Sequence, residues 1–108
     1  MSKLKPFILC NAVALALLVA MPSAAFTGAD TYKAKCAMCH GPDGSGATPV
    51  GQRLKVRDLR SADVQKQTTE AITAIVTNGQ KSMPAFGKSL SLDQIKDVVG
   101  FVRSIATK

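Results

Sequence analysis

The chain has 108 residues, and its 14 basic side chains outnumber the 7 acidic ones to give a net charge of +7. It contains no internal repeat, low-complexity run or linker, so we expect one folded domain rather than several. The basic residues follow no nucleic-acid-binding motif, which argues against nucleic acid as the partner.

The first 25 residues have the pattern of an export signal. Two lysines precede the apolar run ILCNAVALALLVAM, which ends near the small residues Ser23 and Ala25 at the spacing that signal peptidase prefers. The run is shorter than the roughly 18 apolar residues of a membrane anchor. We therefore predict a signal peptide at residues 1–25, cleavage after Ala25, and a mature domain of residues 26–108 without a membrane span. The expected location is the periplasm or a similar exported compartment such as a thylakoid lumen.

The mature chain is short of apolar bulk. Removal of the signal takes away two lysines and leaves 83 residues with 12 basic and 7 acidic side chains. A domain of this size buries little apolar surface and is usually stabilised by disulfides, a metal or a cofactor. The mature chain keeps four aromatic residues and no Trp. We therefore expect a bulky apolar group to complete the core.

The first half of the mature chain is predicted to be one helix followed by a loop. Residues 29–40 favour a helix, with Ala29, Tyr32 and Cys36 on one buried stripe. The stretch GPDGSGATPVGQ that includes and follows Gly41 has four glycines and two prolines. That composition predicts a loop after the helix.

The second half is predicted to contain three further helices. Ser61 is placed to cap a short helix to about Gln67, and Thr69 begins another that ends at Gly79. The sequence SLDQ at 91–94 is a capping box. It opens a long helix with one apolar stripe, formed by Ile95, Val98, Val99, Val102 and Ile105. No segment alternates for long enough to predict a strand, so the fold class is all-α, with about four helices and long loops.

The motif CAMCH is compatible in outline with zinc, a dithiol or haem. Zinc needs four ligands, and no Cys or His outside this motif remains in the mature chain. A redox dithiol is expected within a βαβ pattern, which is absent, and a plain disulfide leaves His40 unexplained. Covalent haem attachment uses every residue: Cys36 and Cys39 form two thioether bonds, and His40 binds the iron.

The second axial ligand is predicted to be Met83. Met1 and Met21 leave with the signal, and Met38 lies between the two attachment cysteines. Met83 occupies an irregular loop, KSMPAFG, that can reach the opposite face of a haem. A thioether ligand raises the reduction potential, which is typical of an electron carrier.

These motifs resemble those of the class I c-type cytochromes, especially the short single-haem carriers of bacteria and photosynthetic organisms. The resemblance covers residues 27–107 and depends on TYKAKCAMCHGPDG, MPAFG and LSLDQIKDVVGFVRSI. It implies a small cytochrome c fold around one covalent haem c, and crossed first and last helices that pack through Gly28 or Ala29, Tyr32 and Phe101. It further implies that the Pro49 carbonyl accepts a hydrogen bond from His40.

The resemblance implies a one-electron carrier, not an enzyme, that is monomeric and docks to an acidic oxidase, reductase or photosynthetic complex. Charge gives two sets of candidate residues. The candidate docking lysines are Lys33, Lys35, Lys81 and Lys88, and the candidates for binding the haem propionates are Gln52, Arg53, Lys55 and Arg57. The alternative for both sets is a solvated charged surface without a binding role. The alternative function is a haem sensor or small peroxidase in which the Met83 ligand is labile or absent.

Overall fold

The computed structural model describes residues 26–107, and within that range the fold is all-α, as predicted. The helices, in chain order, are α1 (Gly28–Lys35), α2 (Ala37–His40), α3 (Pro49–Leu54), α4 (Ala62–Gln65), α5 (Thr69–Asn78) and α6 (Leu92–Ser104). Residues 26–107 contain one isolated antiparallel bridge, between Gln80 and Met83. The predicted signal peptide and its cleavage site lie outside the described residues. No helix in the described range is both long and apolar enough to cross a bilayer.

The first half of the domain differs from the prediction in two places. Cys36 interrupts the expected helix, because it ends α1 and also begins α2. A further helix, α3, forms inside the predicted loop. The Thr48 side chain accepts a hydrogen bond from the Gly51 N–H, and Pro49 occupies the first helical position, where its missing N–H costs nothing. The local cap therefore outweighs the glycine-rich composition.

The second half follows the predicted caps closely. Ser61 caps α4, and Gly79 ends α5. The Ser91 and Gln94 side chains form both hydrogen bonds of the capping box at α6. The apolar stripe of α6 is buried at Ile95, Val98, Val99 and Val102.

The core forms where α1 and α5 pack against α6. Tyr32 is 2% exposed, and its ring lies 4.7 Å from that of Phe101 between centroids. A Cβ added at Gly28 would clash with the Asp97 carbonyl of α6, so Gly28 permits the close approach of the two helices. The predicted contact between the first and last helices is confirmed with Gly28 as the small residue. Ala29 is exposed, and its predicted place in the buried stripe is wrong.

We expect Gly28→Ala to lower the free energy of unfolding by about 1–3 kcal/mol, because the new methyl group must push α1 away from the α6 backbone. The matched control is Gly100→Ala in α6, since nothing lies within 4 Å of a Cβ added there. The control should raise stability by up to about 1 kcal/mol through helix propensity. Chemical denaturation of both variants checks the difference, and equal effects would contradict the close-approach role of Gly28.

Polar side chains tie α6 to the segment between α4 and α5. Arg103 donates hydrogen bonds to the carbonyls of Gln65 and Gln67 and to the Thr69 hydroxyl. Gln65 in turn donates to the carbonyls of Leu59 and Val102. Leu59, Gln67 and Val102 all line the cavity described below, so these bonds hold part of its wall in place.

Candidate cofactor site

One cavity brings together the side chains that the sequence analysis selected. It lies among the CAMCH segment, the chain around residues 54–59, α5, the loop that carries Met83, and one face of α6. Cys36, Cys39, His40 and Met83 all line it, although Met83 is far from the motif in sequence. The cavity encloses about 310 Å³, which is within the range of pockets that hold small-molecule cofactors.

The backbone around CAMCH holds the motif in a fixed position. The His40 N–H donates to the Cys36 carbonyl at 2.9 Å, which closes one turn over both cysteines. The loop that follows returns to the motif, because the Gly46 N–H donates to the His40 carbonyl and the Thr48 hydroxyl donates to the Cys39 carbonyl. The motif is therefore fastened by its own turn and by the loop after it.

The cysteines have the properties of attachment points rather than of a redox dithiol. Both are free thiols and partly buried. Burial, with a smaller contribution from neighbouring Cys39, raises the pKa of Cys36 to about 11. Catalytic dithiols work through a cysteine with a lowered pKa, so the dithiol alternative gains no support here. Among residues 26–107, no group of three or more His, Cys, Asp or Glu side chains could hold a metal ion. The structure therefore does not support a zinc site in this range.

The imidazole of His40 is partly buried, in surroundings suited to metal binding. Burial lowers its pKa, and the Arg57 backbone opposes that shift only in part. A lowered pKa favours the neutral ring, which is the form that binds a metal. The His40 Nδ1 atom is buried and has no hydrogen-bond partner.

No hydrogen bond joins the His40 Nδ1 atom to the Pro49 carbonyl in the described structure, and the expected bond stays a prediction. Pro49 is exposed, stands at the first position of α3 and does not line the cavity. The backbone that acts on His40 is that of Arg57, a residue the sequence analysis considered only for its charge.

Backbone hydrogen bonds fix the loop that carries Met83 on both sides of this residue. Met83 and Gln80 exchange two backbone hydrogen bonds, of 2.9 and 3.1 Å. Beyond Met83, the Phe86 N–H donates to the Val76 carbonyl in the last turn of α5, and the next residue continues the same pairing. Met83 is partly buried and packs against the core. The loop thus delivers a thioether to the cavity from a fixed backbone.

The cavity walls are the inner surface of the core. Tyr32, Val64, Ile72, Val98 and Val102 are buried from solvent and also line the cavity. The Tyr32 hydroxyl donates to the Gly41 carbonyl at 2.6 Å, so its polar end is satisfied. A largely apolar cavity lined by two thiols, an imidazole and a thioether fits a covalently attached haem. The cavity is the space in the core that the bulky apolar group expected from the sequence would fill.

The charged residues around the cavity differ from those predicted. Lys35 and Lys81 line it, as expected for the docking set, but Lys33 and Lys88 do not. Of the propionate candidates, Lys55 and Arg57 line the cavity, whereas Gln52 and Arg53 do not. Two of the four candidate docking lysines and two of the four propionate candidates therefore lie at the cavity.

Comparison with known proteins places these features in a family. The family model for cytochrome c oxidase, cbb3-type, subunit III matches residues 23–102. Cytochrome c6 of Leptolyngbya boryana is 42% identical over 84 residues, which are 78% of this chain and 95% of that protein. Cytochrome c6 of Nostoc sp. is 38% identical over 86 residues, covering 77% of this chain and 72% of that protein.

Solved structures agree with the sequence matches. The c-type cytochrome KustC0563 superposes with a TM-score of 0.70 at 30% identity, covering 75% of this chain and 99% of that chain. Cytochrome c6 from the diatom Phaeodactylum tricornutum superposes with a TM-score of 0.60 at 31% identity, covering 73% and 90% of the two chains. Both the sequence and the backbone are therefore those of small c-type cytochromes.

Proposed function

This chain belongs to the class I c-type cytochromes, which carry covalently attached haem c, and we propose that it is an exported one-electron carrier with His40 and Met83 as axial ligands. Cys36 and Cys39 form the two thioether bonds in this proposal. Residues 1–25 direct export to the periplasm or a comparable compartment and are then removed. The mature protein works as a monomer and is not an enzyme.

The observation that carries the proposal is the meeting of His40 and Met83 in one cavity with both thiols. When bound, the haem supplies one-electron chemistry between Fe(III) and Fe(II). His40 and Met83 would hold the iron with two side chains of the protein, which would leave no position on it for a substrate. This arrangement suits electron transfer better than catalysis.

The chain's own residues have three tasks in this function. His40 lines the cavity, and burial lowers its pKa, which favours the neutral ring that binds a metal. Met83 offers a soft, neutral sulfur that favours the reduced state. The buried apolar side chains around them exclude water, and the backbone hydrogen bonds of the loop hold Met83 in place.

The partners in this proposal are redox proteins with acidic surfaces. The full chain carries a net charge of +7, and the two lysines of the predicted signal account for only part of it. A basic protein is attracted to acidic partners over distances near the Debye length, which raises the rate of encounter. Salt is therefore expected to slow electron exchange with such partners.

The test is a mass measurement with a potentiometric titration of the protein purified from a host that matures c-type cytochromes. We expect the mass of residues 26–108 plus one haem, and a single reversible transition that involves one electron. A haem-free protein with a Cys36–Cys39 disulfide would refute the proposal. A mass that retains residues 1–25 would refute the export signal alone.

A further inference from the structure

Gly79, the residue after α5, has a backbone conformation that glycine alone adopts readily. Its φ and ψ angles are 76° and 168°, a combination that is nearly confined to glycine. A glycine that only stops a helix usually takes the left-handed conformation, with φ and ψ of about 57° and 47°. Gly79 combines a positive φ with an extended ψ, so the chain leaves α5 in a different direction from that of the usual glycine stop.

The space beside Gly79 is filled by the loop that carries Met83. A Cβ added at this glycine would lie 2.7 Å from the Met83 carbonyl oxygen, 2.9 Å from the Ala85 nitrogen and 3.1 Å from the Pro84 carbonyl carbon. All three are backbone atoms, so no side-chain rotation could relieve the contact. A side chain at position 79 would therefore have to move the backbone of Met83 and of the two residues after it.

The loop is held by the same end of α5 from which it starts. It leaves the helix at Gly79, and it returns where the Phe86 N–H donates to the Val76 carbonyl at 2.9 Å. The next residue repeats this pairing, because the Gly87 N–H donates to the Thr77 carbonyl at 3.0 Å. Gly79 thus contacts the middle of a loop whose two ends are both fixed to α5, so a shift of the whole loop cannot absorb a displacement at this contact.

The helix that holds the loop is itself part of the cavity wall. Ile72, Ile75 and Val76 of α5 line the cavity, as Met83 does. Because the loop is fixed to α5, the contact at Gly79 helps to set where Met83 lies relative to this wall.

We propose that Gly79 is a positioning residue for Met83. Its lack of a side chain allows the loop to pack directly on the end of α5, and this packing places the Met83 thioether in the cavity. The proposal rests on the proposed function, because it concerns Met83 as an iron ligand. A residue that only ended the helix would need no free space beside Met83, which distinguishes the two roles.

The first test is hydrogen exchange of the reduced holoprotein, followed residue by residue by NMR. We expect the amides of Met83, Phe86 and Gly87 to exchange about tenfold faster or more in Gly79→Ala, because strain at this backbone conformation favours local opening of the loop. In the native protein these amides should exchange within about tenfold of the rates in the last turn of α5, to which the loop is bonded. A native loop that exchanged much faster than this turn would overturn the proposal even if the variant failed to accumulate, because α5 would not hold such a loop.

The matched control is Gly44→Ala. Gly44 also has a positive φ, of 82°, and the three atoms nearest to a Cβ added there belong to Ile105, Leu59 and Tyr32. This variant therefore adds a methyl group and backbone strain away from the loop. We expect it to lose stability but to keep native exchange rates in the loop. Equal acceleration in the two variants would show a general loosening of the fold and would overturn the proposal.

The second test compares the optical spectrum and the reduction potential of the same variants. We expect Gly79→Ala to lose part of the sulfur-to-iron charge-transfer band when oxidised, to bind carbon monoxide when reduced, and to have a lower potential than the native protein. Gly44→Ala should match the native protein in all three properties. A native band and potential in Gly79→Ala would show that Gly79 only ends the helix, and would overturn the proposal. A native protein without the band would contradict the proposed function itself, whereas hydrogen exchange would still decide whether the loop is packed on Gly79.

Discussion

Replacing Met83 by alanine lowers the reduction potential by roughly 0.1–0.3 V, a substantial part of the ≈ 0.8 V range that axial ligands set in haem proteins. The thioether is the group on this side of the cavity that stabilises the reduced state, and alanine cannot replace it. The loop itself should survive, because its hydrogen bonds from Met83 to Gln80 and from Phe86 to Val76 use backbone atoms only. The variant should also bind carbon monoxide when reduced, since one iron position is freed. A potentiometric titration followed by optical spectra measures both effects.

The chain provides a matched control for this substitution. Met38 is 76% exposed and does not line the cavity, so Met38→Ala deletes the same side chain at a position without access to the iron. We expect its potential and spectra to match those of the native protein. If the two variants behaved alike, Met83 would have no role as a ligand.

Replacing His40 by alanine prevents the accumulation of stable red protein. His40 is the only histidine of the chain, so no other imidazole can take its place at the iron. The apolar cavity would then hold a haem tethered by thioether bonds but lacking its proximal ligand. We expect the covalently bound haem per cell, measured by the pyridine haemochrome spectrum, to fall about tenfold or more, since even the loss of a ligand's hydrogen-bond partner weakens metal binding about 10–100-fold.

A neighbouring substitution separates ligation from local folding. Thr48→Ala removes the hydroxyl that holds the Cys39 carbonyl and caps α3, at a cost of about 1–2 kcal/mol in stability. It should leave the optical spectrum of the haem unchanged. A native spectrum and potential in His40→Ala, or the same loss of haem in both variants, would contradict the role assigned to His40.

Local signals in the sequence predicted much of the fold because each depends on residues close together in the chain. The capping box at Ser91 and the stop at Gly79 formed where expected. The buried stripe of α6 was predictable for the same reason, because helical periodicity is a property of one helix and does not depend on the rest of the fold.

The errors arose where tertiary context or competing local signals decide the structure. Cys36 ends one helix and begins another, although nothing in its immediate sequence breaks a helix. Composition predicted a loop where the Thr48 cap and Pro49 start α3. The distinction between Gly28 and Ala29 depends on which residue faces the α6 backbone, and one helix alone does not specify this.

The candidate site was predictable to the extent that its chemistry is local or unique. CAMCH is a contiguous motif, and Met83 was the remaining methionine able to reach the other face. The surroundings of His40 were not predictable, because the Arg57 backbone approaches it from a different part of the fold. The positive φ angles of Lys55 and Lys81 were not predictable either, because lysine is not a residue type that indicates this backbone conformation.

The central claim is that His40 and Met83 would both bind the haem iron, and the optical spectrum of the native protein with and without carbon monoxide tests it most directly. We predict a sulfur-to-iron charge-transfer band in the oxidised protein, and no change when carbon monoxide is added to the reduced protein. Rapid binding of carbon monoxide together with the absence of that band would contradict the claim and favour a sensor or peroxidase.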